Sequence, residues 1–178
     1  MSVDSSTSAP EAAAQGPVSG PVRPNAAFMR RRLSRLIAFG FGAGLSPVAP
    51  GTVGTLWAWA SWLVMQLWLP ESVMLMILPI AFLVGIWACG RTADAMGVAD
   101  HGAMVWDEVV AFWLVLAMVP AGFGAQFIAF VLFRLFDIVK PPPIRHFDAT
   151  VPGGFGVMFD DLLAAFYTLL VFAFWKVL

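Results

Sequence analysis

The sequence predicts an all-α, polytopic membrane helical bundle of about five short spans with a cytoplasmic N-terminus. Three observations carry that prediction. The chain of 178 residues is 60% hydrophobic and only 12% charged, where a soluble domain carries about a quarter charged residues. Five apolar stretches, 55–69, 73–89, 104–119, 123–139 and 157–177, follow one another along the chain. If they cross in turn, every Lys and Arg except Lys176, and every Asp and Glu except Glu71, falls on one side. The basic excess near the span ends places that side in the cytoplasm. The stretches are short: 104–119 reaches roughly 24 Å at about 1.5 Å per residue. A very apolar soluble bundle is therefore the competing reading.

Residues 1–27 are rich in Ala, Ser, Pro and Gly and lack apolar periodicity. They read as a disordered tail and not as a secretory signal, and 28–178 reads as one membrane-embedded domain. Residues 28–37, with Arg30, Arg31, Arg32 and Arg35, suit a short interfacial helix on an anionic leaflet. That cluster has no basic domain around it, which argues against a nucleic-acid partner. Residues 40–54 hold five glycines and two prolines, a poor composition for a helix. Backbone of that kind at a membrane surface is buried in protein or lines a wet site. Gly51 and Thr52 would then offer amides, and a hydroxyl, to an anion at the positive start of the first span. A plain connector is the alternative. The single cysteine, Cys89, excludes an intrachain disulfide and reads as packing.

Four polar clusters sit at the near-side span ends. Asp100 and His101 precede Asp107 and Glu108 at the start of the third stretch. Arg134, Asp137 and Lys140 share one helix face at the close of the fourth. Residues 141–148, with Arg145, His146 and Asp148, read as a stiff loop after three prolines. Asp160 and Asp161 head the last stretch. Taken singly, the acids at helix starts are what the helix dipole favours, Arg134 with Asp137 can be a structural pair, and His101 and His146 can be ordinary loop residues.

Their convergence argues for more. A carboxylate at membrane depth is costly unless it is paired or metal-bound. The five acids Asp107, Glu108, Asp137, Asp160 and Asp161 face two embedded bases, Arg134 and Lys140, which leaves three charges uncompensated (5 − 2 = 3). A hard divalent ion with oxygen ligands answers that excess. Mg²⁺ suits it, because it uses a few carboxylates together with substrate phosphate oxygens. Lys140 and Arg145 beside it suit a phosphate. The nearest phosphate at this level is a phospholipid headgroup in the cytoplasmic leaflet.

Four segments carry a resemblance: 40–55 (GFGAGLSPVAPGTVGT), 100–108 (DHGAMVWDE), 133–148 (FRLFDIVKPPPIRHFD) and 153–161 (GGFGVMFDD). In this order they resemble the phosphatidylglycerophosphatase A family of bacterial membrane enzymes, from residue 37 to about 175. The resemblance implies a Mg²⁺-dependent lipid phosphatase of the bacterial inner membrane, with its active face cytoplasmic. It would convert phosphatidylglycerophosphate to phosphatidylglycerol and inorganic phosphate. Asp107, Glu108, Asp137, Asp160 and Asp161 are then the candidate metal ligands. Asp107, Asp161, Lys140 and Arg134 are the candidate catalytic residues, and Arg145, Gly51, Thr52 and His101 are candidates for substrate binding. Two departures stand out: Ala111, where family members often have glycine, and the N-terminal tail. A phosphatidyl-transfer enzyme, an ion-coupled transporter and a scaffold are the other readings. The first lacks its spaced aspartate pattern here, the second finds a bare far side, and the third leaves the convergent charges unexplained.

Overall fold

The computed structural model describes residues 24–177, and within them it is all-helical, with no strand. Most of the expected tail, 1–23, lies outside the described residues. Helix α1, Ala26–Arg30, starts at an Asn25 cap, whose side chain accepts from the Phe28 amide at 2.8 Å. Helix α2, Leu33–Ala38, follows after a break. The sequence suggests one interfacial helix over 28–37. The chain instead turns extended at Arg32 (φ −148°, ψ 140°), which buries Phe28 and Met29 while Arg30, Arg31 and Arg32 stay exposed. Arg35 holds the corner, with its guanidinium 3.8 Å from the Phe28 ring centroid and Nη1 donating to Phe28 O.

A 3₁₀ turn over Gly40–Leu45 leads to α3, Pro50–Trp68. The helix therefore starts inside the glycine-rich stretch, with Pro50 at its first turn, where a missing N–H costs nothing. Only Leu69 and Pro70 separate α3 from α4, Glu71–Met96. Helix α4 runs beyond its apolar stretch, through Arg91, and ends where Gly97 (φ 71°) takes the left-handed position. Helix α5, Trp106–Met118, is short and buried on nearly every side. Helix α6, Phe123–Val139, ends where Lys140 (φ 44°) leaves the helix ahead of Pro141. Residues 144–150 form a short helix, α7 (Ile144–Thr150), in place of the expected stiff loop. Helix α8, Gly153–Val177, starts a full turn before its apolar stretch.

Helix α5 is the axis of the bundle. It packs on α3, α4, α6 and α8, and α2 lies across α4. Val105 N donates to Ala38 O at 2.8 Å and so ties the entrance of α5 to the end of α2. Aromatic rings fill the α3–α5–α6 seam, with Phe112 against Trp59, Phe130 and Phe133. Glycines set how closely helices approach. A Cβ on Gly154 would collide with Ile86 O and come within 2.7 Å of Gly90 N, both backbone atoms of α4. Gly154→Ala is therefore expected to destabilise the fold by about 1–3 kcal/mol, read as a lower thermal midpoint; an unchanged midpoint would refute this account of the α4–α8 contact.

Two helices, Glu71–Met96 and Gly153–Trp175 within α8, are long and apolar enough to cross a membrane. Met76, Ile80, Leu83 and Trp87 form an exposed apolar stripe along α4. A soluble core helix would bury such a stripe, so the pattern suggests association with lipid.

Candidate active site

The acids expected to converge do so. Asp107 and Glu108 occupy the first turn of α5, where the helix dipole favours them. Asp160 and Asp161 do not head their helix. Because α8 begins at Gly153, they lie two turns inside it, so the dipole gives no ordinary reason for their presence. All four are buried, Asp161 most deeply at 3% exposed. Consecutive helical residues point about 100° apart, and this splits the last pair. Asp160 turns to Lys140, whose Nζ lies 2.6 Å from Oδ2. Asp161 turns to α5.

One carboxylate oxygen from each of Asp107, Glu108 and Asp161 lies within 4.8 Å of the other two. Two unit charges at that separation repel by roughly 3 kcal/mol at an effective dielectric near 20. Asp107 Oδ1, Glu108 Oε2 and Asp161 Oδ2 are buried, and no donor among the described residues reaches them. Three hard oxygen donors with no partner form a group that could hold a metal ion.

Each nearby base has its shortest contact with an acid outside the triad. Arg134 Nη1 sits 2.7 Å from Asp137 Oδ2, one helical turn along α6, and 3.6 Å from Glu108 Oε1. It also donates to Thr55 Oγ1 at 3.3 Å, while the Thr55 hydroxyl donates to Gly51 O at 2.9 Å. Asp137 is near enough to Glu108 and Asp161 for their charges to interact. Five acids and two bases thus sort into an Arg134–Asp137 pair, a Lys140–Asp160 pair and a carboxylate triad.

Gly51 touches this centre by its shape. A Cβ there would strike Glu108 Oε1 and lie 2.9 Å from Arg134 Nη2, so only glycine leaves room for the pair. Thr55, absent from the expected set, is fully buried beside it. Its signal was a polar residue four positions after Gly51, on the same helical face. The remaining candidates stand apart. Thr52 is half-buried at the start of α3, and Arg145 is exposed on α7. Among the described residues, neither makes a hydrogen bond or ion pair to the triad. His101 is used locally: its Nδ1 accepts from Ala103 N at 3.1 Å and its carbonyl from Met104 N at 2.7 Å, shaping the turn into α5. The side chain of Asp148 lies outside what the structure describes. Cys89 is buried.

Known proteins resemble this chain over most of its length. The chain is 44% identical over 131 residues to the phosphatidylglycerophosphatase A of Escherichia coli K12, covering 72% of this chain and 75% of that one. It is 46% identical over 138 residues to the protein of the same name from Haemophilus influenzae, covering 76% and 84%. It is also 39% identical over 145 residues to a Bacteroides thetaiotaomicron protein provisionally named phosphatidylinositol-3-phosphatase, covering 78% and 90%. No solved structure matches. Residues 36–176, nearly everything the structure describes, match the family itself, and the chain belongs to the phosphatidylglycerophosphatase A family.

Proposed function

We propose that this chain hydrolyses phosphatidylglycerophosphate to phosphatidylglycerol and inorganic phosphate, in the cytoplasmic leaflet of a bacterial inner membrane. The observation that carries the reading is the buried Asp107–Glu108–Asp161 triad beside Arg134 and Lys140, in a member of this family. The triad's unpartnered oxygens fit a hard divalent cation, and Mg²⁺ is the ion we assign. When bound, such an ion neutralises the phosphomonoester and polarises its P–O bonds.

The chain's own residues do the rest. Asp161, or Asp107 across from it, takes a proton from the attacking water. The water oxygen bonds to phosphorus, the bond from phosphorus to the glycerol oxygen breaks with its electron pair going to that oxygen, and the oxygen takes up the proton that the carboxylate accepted. Asp160 holds Lys140 at the edge of the site, where its ammonium stabilises charge on the transferring phosphoryl group. Asp137 and Thr55 hold Arg134, whose Nε is buried without an acceptor and can serve a phosphate oxygen. Asp137 and Asp160 act as partners of these bases and, with them, as an outer ring around the ion. Arg145, Thr52 and the Gly51 backbone line the approach of the headgroup, with His101 shaping the floor. A multi-pass arrangement of about five crossings puts this end at the leaflet that Arg30, Arg31 and Arg32 face. In this reading residues 28–178 are the membrane-embedded domain and 1–27 a tail outside it.

The test is phosphate release by the purified protein from phosphatidylglycerophosphate, phosphatidate and phosphatidylinositol 3-phosphate, with Mg²⁺ and with a chelator. Expected is release from the first lipid about tenfold or more above the others, abolished by the chelator and restored by Mg²⁺. Equal release would make the enzyme a broad lipid phosphatase, and preference for the inositol lipid would favour the activity named for the Bacteroides relative. No release from folded, metal-replete protein would overturn the reading.

A further inference from the structure

Lys140 opens a segment that has no amide with which to hold itself. Pro141, Pro142 and Pro143 follow it, and three prolines in a row carry no N–H. Such a stretch is anchored through its carbonyls, by donors that come from elsewhere in the chain. Two of the three serve the helix that follows. Pro141 O accepts from Ile144 N at 2.8 Å, and Pro143 O accepts from His146 N at 2.9 Å and from Phe147 N at 3.2 Å. Pro142 O is held from α8, where the Tyr167 hydroxyl donates to it at 3.0 Å. Lys140 itself stands in the left-handed region (φ 44°, ψ 62°), a conformation that a residue with a side chain keeps only where its surroundings fix it.

Two residues of α8 grip this turn. Asp160 and Tyr167 are seven positions apart, two helical turns less about 20°, so they share a face. Asp160 takes the Lys140 ammonium at 2.6 Å, and Tyr167 takes the backbone two residues further on. The Tyr167 ring also packs against Phe136, one turn before Lys140, with 5.5 Å between centroids. A single side chain thus meets the chain on both sides of Lys140. We propose that Tyr167 is a positioning residue: its hydroxyl holds the Lys140 turn against α8 and so keeps the ammonium on Asp160 at the edge of the triad. Tyr167 does not touch the substrate and acts through Lys140. The placement stands on the geometry, and its consequence for turnover rests on the phosphatase reading above.

Tyr167→Phe tests it, because the variant keeps the ring on Phe136 and removes only the donor. The first readout needs no activity. The chain has two lysines, Lys140 and Lys176, and the Lys140 side chain is 26% exposed, within reach of a small aldehyde. Reductive dimethylation of the full chain in detergent, read by peptide mass spectrometry, gives the labelling rate of Lys140 with Lys176 as internal reference. In Tyr167→Phe that relative rate should rise about fivefold, since a freed turn lets the ammonium leave Asp160 more often. The second readout is phosphate release. In Tyr167→Phe kcat should fall about fivefold while KM for the lipid stays near wild type, the mark of an interaction made in the transition state. The same substitution in Lys140→Met protein should cost nothing further, because the two residues act as one unit. Unchanged labelling of Lys140, or a loss of turnover as large in the Lys140→Met background as in the wild type, would overturn the proposal and leave the hydroxyl a purely structural group. If the wild type releases no phosphate while the labelling difference holds, the proposed activity falls and the positioning of Lys140 by Tyr167 stands.

Discussion

Replacing Asp161 with asparagine is expected to cut phosphate release by on the order of 10²-fold or more, in protein that stays folded. The two side chains have nearly the same shape, and Asp161 is 3% exposed, so packing is conserved. What changes is charge and donor type. The triad loses one of three anionic oxygens grouped within 4.8 Å, and an amide N–H₂ enters a place where the cation should sit. Removing a like charge from this cluster also relieves repulsion, so the thermal midpoint without metal should hold or rise. Mg²⁺ should raise the midpoint of the wild type, because a ligand that binds only the folded state stabilises it, and raise that of the variant less. Turnover close to wild type would end the assignment of Asp161. A collapse of the midpoint would instead mark the residue as structural.

Gly51→Ala is expected to cost a similar factor without replacing any charged residue. The new methyl would meet Glu108 Oε1 and lie 2.9 and 3.2 Å from the two terminal nitrogens of Arg134. Neither side chain can step aside easily. Arg134 is pinned by Asp137 at 2.7 Å and by Thr55, and Glu108 is buried in the first turn of α5. A displacement of about 1 Å at such a centre can cost roughly 10²-fold in turnover. Gly124→Ala is the control. A Cβ at Gly124 in α6 meets nothing within 4 Å, so its turnover should match the wild type. A Gly51→Ala enzyme as active as that control would refute the steric role.

Several site features were legible before any fold was known. The Arg134–Asp137 pair follows from spacing, because i and i+3 share a helix face. The convergence of acids at one end follows from charge falling on one side of the apolar stretches. Lys140 shows how a local rule misleads. Continuing the helix from Arg134 and Asp137 by three residues keeps it on their face, yet it precedes Pro141, and the residue before a proline resists the helical conformation. The chain turns there (φ 44°), and Lys140 meets α8 at Asp160. Thr55 passed unnoticed because it stands at the start of an apolar run, where its spacing from Gly51 is a faint signal. Gly51 drew attention as a backbone donor, and the structure adds a second use, the absence of a side chain. Nothing in the local pattern tells those two roles apart.

By itself the sequence determined that the chain is helical, that its helices are apolar beyond what a soluble domain needs, that its polar chemistry gathers at one end, and which family its motifs resemble. These follow from composition, periodicity and motif spacing, all properties of the chain read along its length. The tertiary structure alone decided that Lys140 meets Asp160 and that Asp161 joins Asp107 and Glu108. Asp160 and Asp161 are adjacent in sequence and differ only by the rotation of one helical step. Their fates depend on how α8 is turned against α5 and α6. That rotation is fixed by the close approach of α4 and α8 at Gly154 and by the packing of Met158 against the open face of Gly85. Such contacts join residues far apart along the chain, so no local window contains them. They leave Asp107, Glu108 and Asp161 facing one another with oxygens unmet, while Arg134 and Lys140 are held by Asp137 and Asp160.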